Sequence, residues 1–245
     1  MSSSARPATK TAGSSKAHKA APRPDRKQAI LLAAERLFAQ SGYHAVSIRQ
    51  IAEEAAVPLA LVGYYYGQKH ELFHAIFEQW RDTVNERLAL LAEARSGPRD
   101  AQTLERMVSA FVEPVMRMRA SAEGEYYALL VARELAYRTP DADRVLADYF
   151  DPMAHAFIDA LHHACPGSRR PDAAWVYQFA LGALLHHISD DRVERLSKHQ
   201  NITADPAAAP HLVAFIEAGI ANVLAARPAV ASPQSSSRPS RRRQP

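Results

Sequence analysis

Cysteine is almost absent from this chain, since Cys165 is the single one among 245 residues. One thiol excludes a framework of disulfides within the chain and suits a reducing cytoplasm. The N-terminus lacks the apolar stretch of a secretory signal. The longest apolar run, Trp175 to Ile188, is short for a bilayer span and carries Gln178, His186 and His187. We therefore expect a cytoplasmic protein with no segment long and apolar enough to cross a membrane.

Acidic residues are missing from both ends of the chain. Residues 1–24 carry five lysines and arginines and residues 228–245 carry four arginines, with no aspartate or glutamate in either range. Because the whole chain has a net charge of +4, the body between these ends carries −5. Serine, alanine and proline dominate the rest of both ends, a composition that cannot bury enough apolar surface to fold. We predict disordered basic tails at 1–23 and 228–245, which either add salt-sensitive attraction to nucleic acid or play no part in binding.

Alternating strand patterns are also missing, and apolar residues recur with helical period along the whole body, which predicts an all-α fold. A first helix has the stripe Ile30, Ala34, Leu37 and Phe38 and ends near Gly42. One long helix is predicted from about residue 68 to 96. Further helices are predicted at about 101–120, 123–138, 142–164, 172–189 and 208–226, with Pro114 kinking or splitting the first of these.

Two short helices follow the first one. Ser47 and Gln50 have the spacing of a capping box, in which Ser47 caps the helix over 47–55 and Gln50 reaches back. Pro58 fits the first position of a helix over 58–66, because its missing N–H would have no partner there. Two short helices joined by a tight turn and backed by a longer helix form the helix-turn-helix pattern, whose second helix enters the major groove of DNA.

Three consecutive tyrosines end the second short helix. A projection at about 100° per residue puts Val62 and Tyr66 on one side, Tyr65 on the flank, and Ala60, Gly63 and Tyr64 opposite. We therefore predict that Tyr66 belongs to the core while Tyr64 and Tyr65 face outward, rather than all three being packing aromatics. Small residues would let this helix approach DNA closely, and tyrosine hydroxyls donate to phosphate oxygens.

The spacing of these motifs is specific. The residues concerned are Ala33, Ala34, Leu37, Phe38, Gly42, Tyr43, the run Ser47-Ile48-Arg49-Gln50-Ile51-Ala52, Ala56, Val57, the run Val62-Gly63-Tyr64-Tyr65-Tyr66-Gly67-Gln68-Lys69, and Leu72. With them, the stretch from 26 to 72 resembles the DNA-binding domain of the TetR family of bacterial repressors. The resemblance implies phosphate contacts by Ser47, Tyr64 and Lys69, and places Arg49 nearest the base edges.

The sequence departs from the family pattern at four positions. Glycine is more usual where Ala56 stands, serine or asparagine at Pro58, phenylalanine at Tyr66, and tyrosine or asparagine at Gly63. The second short helix therefore has no Arg, Lys, Asn or Gln for bidentate base reading. We expect sequence choice to depend on Arg49, on thymine-methyl contacts from Leu59 or Leu61, and on DNA shape. The predicted DNA-binding residues are Ser47, Arg49, Gln50, Pro58, Leu59, Ala60, Leu61, Gly63, Tyr64, Tyr65 and Lys69.

The resemblance also implies two domains, a DNA-binding domain at 24–84 with its helix-turn-helix at about 47–66, and a helical effector-binding and dimerisation domain at 85–227. A small DNA-binding unit needs a second copy to read an extended site, so we expect a homodimer. Its interface would use the last two long helices, unless their apolar stripe is core within one domain. The predicted interface residues are Trp175, Phe179, Gly182, Ala183, Leu185, Leu212, Phe215, Ile216, Gly219, Ile220 and Val223.

An effector pocket among the middle helices is likewise implied by the resemblance. Its candidates are Trp80, Met107, Phe111, Met116, Tyr126, Tyr127, Leu130, Arg133, Phe150, Phe157 and Phe179, although methionines and aromatics at helical spacing are more often core. The function implied is a regulator, usually a repressor, that binds a near-palindromic operator and is released by a small, largely apolar effector.

Two other classes of function remain open. His186, Asp190 and Glu194 recur at four-residue intervals, which places them on one face of a helix and would suit a metal-binding protein or a helical enzyme. No nucleophile–base arrangement and no phosphate loop supports an enzyme, so we predict no catalytic residue, cofactor or metal. An architectural protein that binds DNA through its tails is the other alternative. The leading expectation is a cytoplasmic, nucleoid-associated DNA-binding regulator with no membrane partner.

Overall fold

A computed structural model describes residues 25–137 and 140–225, with backbone alone at 141 and 142. The helices in chain order are α1 (Arg26–Ser41), α2 (Ile48–Glu54), α3 (Leu59–Tyr66), α4 (Lys69–Gln79), α5 (Arg81–Ser96), α6 (Thr103–Ala120), α7 (Glu125–Tyr137), α8 (Pro140–Val145), a π-helical turn (Leu146–Phe150), α9 (Asp151–Ala164), α10 (Arg170–Ser189), α11 (Val193–Leu196), a 3₁₀ turn (Pro206–Ala208) and α12 (Ala209–Leu224). The described residues contain no strand, so the all-α prediction is confirmed. The tails predicted to be disordered lie outside the described residues.

The first four helices surround a core of their own. Asp25 caps α1, because its Oδ1 accepts from the backbone N of Lys27 at 3.0 Å and of Gln28 at 3.4 Å. The buried face of α1 contributes Ile30 and Phe38, both with no exposed surface. The same cluster contains Ile51, Val62, Leu72, Phe73, Ile76 and Phe77. We call α1–α4 the head.

The helix predicted from 68 to 96 is broken in the structure, which corrects the prediction of one continuous element. Trp80 leaves the helical backbone at φ −98 and ψ 11, between α4 and α5. Its Nε1 donates to Glu35 Oε2 on α1 at 2.8 Å, and its ring stacks on Tyr127 of α7 at 5.1 Å. These partners are distant in sequence, so helical period alone does not reveal the break.

The helices predicted at 101–120 and 142–164 differ in part from the prediction. Pro114 lies inside a continuous α6, so it does not split that helix, and the alternative that it kinks α6 stays a prediction. The single helix predicted over 142–164 is instead α8, the π-helical turn and α9. Pro152 stands in the first turn of α9, where a residue without an N–H starts a helix rather than continuing one.

A second core lies among α5, α6, α9, α10 and α12, which we call the body. It includes Leu91, Phe111, Phe157 and Leu184. Tyr127 and Leu130 of α7 pack into the cluster of the head instead, so α7 joins the two cores. The boundary at residue 84 that the sequence suggests remains a prediction.

The stretch Pro206–Leu224 has 19 residues with a mean hydropathy of 1.5, and by length and composition it is able to cross a membrane. The expectation that no segment reaches this limit is therefore wrong. Only 22% of this stretch is buried. Val213, Ile216, Ile220 and Leu224 are its buried residues, and they pack into the body. One face of α12 therefore packs into a folded core, while a second face exposes Phe215 and Val223. The high hydropathy comes from these two apolar faces together.

Candidate nucleic-acid interface and ligand cavity

The turn before α2 forms the capping box that the sequence predicts. Gln50 N donates to Ser47 Oγ at 3.3 Å, and Ser47 N donates to Gln50 Oε1 at 2.8 Å. Arg49, between them, is exposed. Ala56, in the turn between α2 and α3, has φ 52, the left-handed conformation that glycine adopts without strain. The turn geometry is therefore kept although the residue usual for it is absent.

Helix α3 presents an uncovered surface. Pro58 is the N-cap of α3, so the helix begins one residue later than the sequence suggests. Its first residue, Leu59, is 47% exposed. Val62 is its one fully buried residue, while Ala60 and Gly63 are exposed and Leu61 is half-buried. A Cβ added at Gly63 would meet nothing within 4 Å. Among the described residues, no packing contact thus requires glycine there.

The three tyrosines separate as predicted. Tyr64 is 79% exposed and Tyr65 36%, and their rings meet edge to face at 5.1 Å. Tyr66 is half-buried, and its hydroxyl donates to the carbonyl oxygen of Lys27 at 2.9 Å. Burial, with a smaller effect of the Asp25 charge, raises the pKa of Tyr66 to about 12. Tyr66 therefore ties α3 to the start of α1, and its two neighbours face away from the core.

Lys69 begins α4 but does not simply extend into solvent. Its Nζ lies 4.3 Å from the centre of the Tyr43 ring and 5.9 Å from that of Phe38. At the same helix start, Glu71 Oε2 accepts from Gln68 N at 2.6 Å. One backbone donor of this turn therefore already has a carboxylate partner. A phosphate at this turn would meet the remaining donors and the half-buried ammonium of Lys69.

A buried polar contact connects the head to α7. The side chain of Glu35 is 2% exposed and accepts from Trp80. Burial raises the pKa of Glu35 to about 7, although hydrogen bonds from Trp80 and the Tyr127 backbone act in the opposite direction. Arg133 of α7 adds a second connection, since its guanidinium donates to the carbonyl oxygens of Gln40 at 3.5 Å and Ser41 at 3.3 Å.

A cavity of about 590 Å³ lies in the body, within the roughly 300–1,000 Å³ of small-molecule sites. Its walls are mostly apolar, including Val115, Met118, Ile158, Leu184 and Ile188. The polar lining has a buried group and an exposed group, besides the half-buried Thr83. Arg87, Tyr127 and Tyr177 are buried, whereas Asp143, Asp151, His155 and Gln178 are exposed. The cavity thus has a polar rim and a largely apolar interior.

Most of the predicted effector residues lie away from this cavity. Only Tyr127 and Phe150 of the eleven line it. Met107, Phe111, Met116 and Phe157 are packed in the core of the body, and Leu130 in that of the head. Trp80 and Tyr126 pack against the head cluster, Arg133 holds α1, and Phe179 is 60% exposed. Side chains of this type fill space between helices, so their spacing marks packing as readily as a pocket.

Arg87 and Tyr177 line the cavity and were not predicted from the sequence. A signal for Arg87 exists, because it occupies the stripe of α5 that buries Val84 and Leu91. An arginine three residues after one buried apolar residue and four before the next points into a core. Such a charge is rarely buried without a partner.

The exposed faces of α10 and α12 carry large apolar side chains. Trp175 is 61% exposed, Phe179 60%, Phe215 71% and Val223 48%. A Cβ at Gly182 or Gly219 would meet nothing within 4 Å. Ala183 and Leu212 are half-buried beside them.

Three of the predicted interface residues point elsewhere, which corrects the predicted stripe. Ile216 and Ile220 are buried in the body's own core at 4% and 3% exposure. Leu185 lines the cavity. Apolar side chains at different angles around α10 and α12 point to different surroundings. The same apolar sequence therefore contributes to the core, to the cavity and to the exposed surface.

The geometry of His186, Asp190 and Glu194 does not support the metal or enzyme alternative. His186 Nε2 lies 3.3 Å from Asp190 Oδ2, but α10 ends at Ser189 and Glu194 belongs to the separate helix α11, so the three residues do not share one helix face. Asp190 accepts from Arg192 Nε at 2.7 Å, and this contact with Arg192 lowers the pKa of Asp190 to about 2. Glu194 accepts from Thr203 N at 2.9 Å. Within the described part of the chain, no group of three such ligands is placed to hold a metal ion.

Comparison with known proteins gives matches in both parts of the chain. Residues 30–76 match the family model described as bacterial regulatory proteins, tetR family, and residues 109–219 match the tetracyclin repressor-like C-terminal domain. The HTH-type transcriptional regulator HbdR of Aromatoleum sp. (strain CIB) is 29% identical over 157 residues, which cover 60% of this chain and 61% of that relative. The regulator BetI of Rhizobium meliloti (strain 1021) is 27% identical over 143 residues, covering 58% and 68%.

Solved structures share the fold. A TetR-like transcriptional regulator from Rhodococcus sp. RHA1 aligns with a TM-score of 0.55 at 23% identity, over 82% of this chain and 98% of that one. The regulator PfmR from Thermus thermophilus aligns with a TM-score of 0.52 at 17% identity, over 81% and 95%. The head has a capped α2 and an exposed α3, and both family models match the chain. The chain therefore belongs to the TetR family of bacterial transcriptional regulators.

Proposed function

We propose that the protein is a transcriptional repressor that binds a near-palindromic operator as a homodimer and is released by a small, largely apolar effector. The observation that carries this proposal is the uncovered surface of α3, where a helix of the head exposes Leu59, Ala60, Gly63 and two tyrosines. A surface of that kind on the second helix of a helix-turn-helix fits the major groove. The protein acts in the bacterial cytoplasm, on DNA of the nucleoid.

The DNA contacts divide into positioning and reading. Ser47, Tyr64, Tyr65 and Lys69 contact phosphates, which position the head without carrying sequence information. Arg49 reaches base edges, and Leu59 or Leu61 contacts thymine methyl groups. Ala60 and Gly63 let α3 approach the groove closely, with Pro58 at its start. Gln50 holds Ser47 in its capping geometry.

A second copy of the chain covers the exposed face of α10 and α12. Trp175, Phe179, Phe215 and Val223 form an apolar surface that is costly to leave in water. Gly182 and Gly219 allow close contact between helices. A two-fold axis through this face presents two heads, as an operator with two half-sites requires.

The effector binds in the cavity and changes the position of the two heads of the dimer relative to each other. Tyr127 lines the cavity and stacks on Trp80, which separates α4 from α5 and bonds Glu35 of α1. A ligand that moves Tyr127 therefore acts directly on the joint between head and body. Release follows if the ligand prefers the arrangement that does not fit DNA.

A gel shift with the DNA upstream of the protein's own gene tests the proposal. Specific retention, compared with a scrambled fragment, is the expected result. Arg49→Ala should lose more affinity for the specific DNA than for the scrambled one, whereas Tyr64→Phe should weaken both alike. Equal losses from Arg49→Ala would contradict the assigned reading role.

The same assay on residues 25–227 addresses the tails. Retention of specific binding is expected, because the helix-turn-helix supplies it. Loss of all specificity on removal of the tails would favour the architectural alternative instead.

A further inference from the structure

Arg87 carries a buried charge without hydrogen-bond partners for two of its nitrogens. Its side chain is 7% exposed, and Nε and Nη2 have no partner among the described residues. Burial lowers its pKa to about 10, partly offset by Tyr177 and Tyr127, so the guanidinium stays charged at neutral pH. A buried donor left unpaired costs free energy, and a charged one costs more.

Aromatic rings hold this guanidinium in place without satisfying it. Its central carbon lies 4.7 Å from the centre of the Phe111 ring and 5.8 Å from that of Phe157. Stacking on aromatic faces orients the guanidinium plane without using the N–H groups at its edge. The side chain is thus positioned for a partner that none of the described residues supplies.

The cavity is the space into which that partner fits, because Arg87 lines it. Tyr127 and Tyr177 are buried there too, and burial raises the pKa of both phenols, which remain protonated donors. The carboxylates Asp143 and Asp151 and the imidazole of His155 stand at the exposed rim, where water screens them. The buried interior therefore offers donors and one positive charge within apolar walls.

We propose that the effector is an apolar carboxylic acid whose carboxylate pairs with Arg87 while its hydrocarbon part fills the apolar cavity. The planar fork of a guanidinium matches the two oxygens of a carboxylate, and charge-assisted pairs of this kind are stronger than neutral ones. Such a ligand supplies hydrogen bonds to nitrogens that otherwise lack them. This inference rests on the proposed function only in calling the ligand an effector.

Calorimetric titration of the full chain with matched ligands tests the assignment. The probes are decanoate, 1-decanol and decylamine, with 4-butylbenzoate and 4-butylbenzyl alcohol as an aryl pair. We expect the acid to bind at least about tenfold more tightly than the alcohol of the same skeleton, and the amine to bind weakest. Comparing the affinities of decanoate and 4-butylbenzoate shows whether the cavity prefers an alkyl or an aryl skeleton.

Arg87→Met removes the charge and keeps an apolar side chain. It should abolish the preference for acid over alcohol while leaving alcohol binding equal or stronger, which shows that the cavity is intact. Arg117→Met is the matched control, since Arg117 is exposed and paired with Glu86 across the surface. Equal affinity for acid and alcohol in the wild type, or an acid preference that survives Arg87→Met, would overturn the proposal. The wild-type comparison decides alone if the variant does not fold.

A gel shift with the same probes separates this inference from the function on which it rests. Acid binding that leaves the DNA complex unchanged would refute release by the effector but keep the site. Operator binding without any preference for acids would refute the site and leave the regulator intact.

Discussion

Glu35 is an acid placed where ionisation is costly, at the contact between the head and α7. Its carboxyl accepts from Trp80 Nε1 at 2.8 Å and is 2% exposed. Water is excluded, so the neutral form is favoured and the pKa rises from 4.5 to about 7. Proton binding at one residue is therefore linked to the stability of the joint between the two cores.

Stability should fall as pH rises through this window. A group with a raised pKa in the folded state contributes its full stabilisation below pH 4.5 and loses it by about pH 7. At about 1.4 kcal/mol per pKa unit the loss is on the order of 3 kcal/mol. Urea unfolding at pH 5 and pH 8 measures it. Glu35→Gln should flatten that difference, whereas Glu53→Gln on the exposed side of α2 should leave it; a slope unchanged in Glu35→Gln would refute the assignment.

Gly63 destabilises α3, and no packing contact among the described residues offsets that effect. Glycine inside a helix is unfavourable, and added atoms at this position meet nothing within 4 Å. We predict that Gly63→Ala raises the free energy of unfolding by about 0.5–1 kcal/mol and weakens operator binding. Thermal unfolding and gel shifts on the same preparation measure the two effects. A more stable variant with unchanged DNA affinity would show that α3 does not approach DNA through this face.

At the scale of elements, the helix-turn-helix stands out because its ends are set by local chemistry. The Ser47–Gln50 box and Gly42 with φ 85 mark boundaries that depend on neighbours in sequence. These could be predicted from the sequence. The interruption at Trp80 could not, because its cause is a hydrogen bond to a residue of α1 and a ring of α7.

The turn between α2 and α3 carries a local strain at Ala56. A left-handed conformation costs an alanine about 1 kcal/mol, since its Cβ crowds the backbone. Ala56→Gly should therefore stabilise the protein by about 0.5–1 kcal/mol. Ala55→Gly is the control, because Ala55 has φ −77 and gains nothing from glycine. Denaturant midpoints compare the two, and destabilisation by both would mean that Ala56 is not strained.

At the scale of the whole molecule, α10 and α12 expose an apolar surface in the single chain. The face that includes Phe179 and Phe215 is proposed to pair two copies, and operator binding then requires the pair. Phe215→Glu should shift the protein to monomers and lower operator affinity, since a carboxylate would be buried without a partner. Light scattering after gel filtration measures the molar mass of the protein in solution.

Leu32→Glu, on α1 of the head and 46% exposed at present, is the matched change outside this face. It should leave the mass unchanged. Monomers from both variants, or dimers from Phe215→Glu, would refute the assigned interface.

The cavity also belongs to the whole molecule, and for that reason periodicity could not locate it. Its walls come from α5, α6, α7, α8, the π-helical turn, α9 and α10, and the unfilled volume depends on how those elements meet. Spacing identifies which residues face inward but not where inward-facing residues leave a gap. Phe111 and Phe157 face inward and fill space, whereas Tyr127 and Phe150 face inward and border it.

With the proposed carboxylate paired to Arg87, the protein with ligand would be more stable than the protein without it. A ligand that binds only the folded state adds stability in proportion to the logarithm of its concentration over its dissociation constant. The ligand-free form, which binds the operator, would then be degraded more readily by proteases. The ligand-bound form, which is released from the operator, would persist longer in the cell. A library of metabolites can accordingly be ranked by melting temperature before any promoter is known.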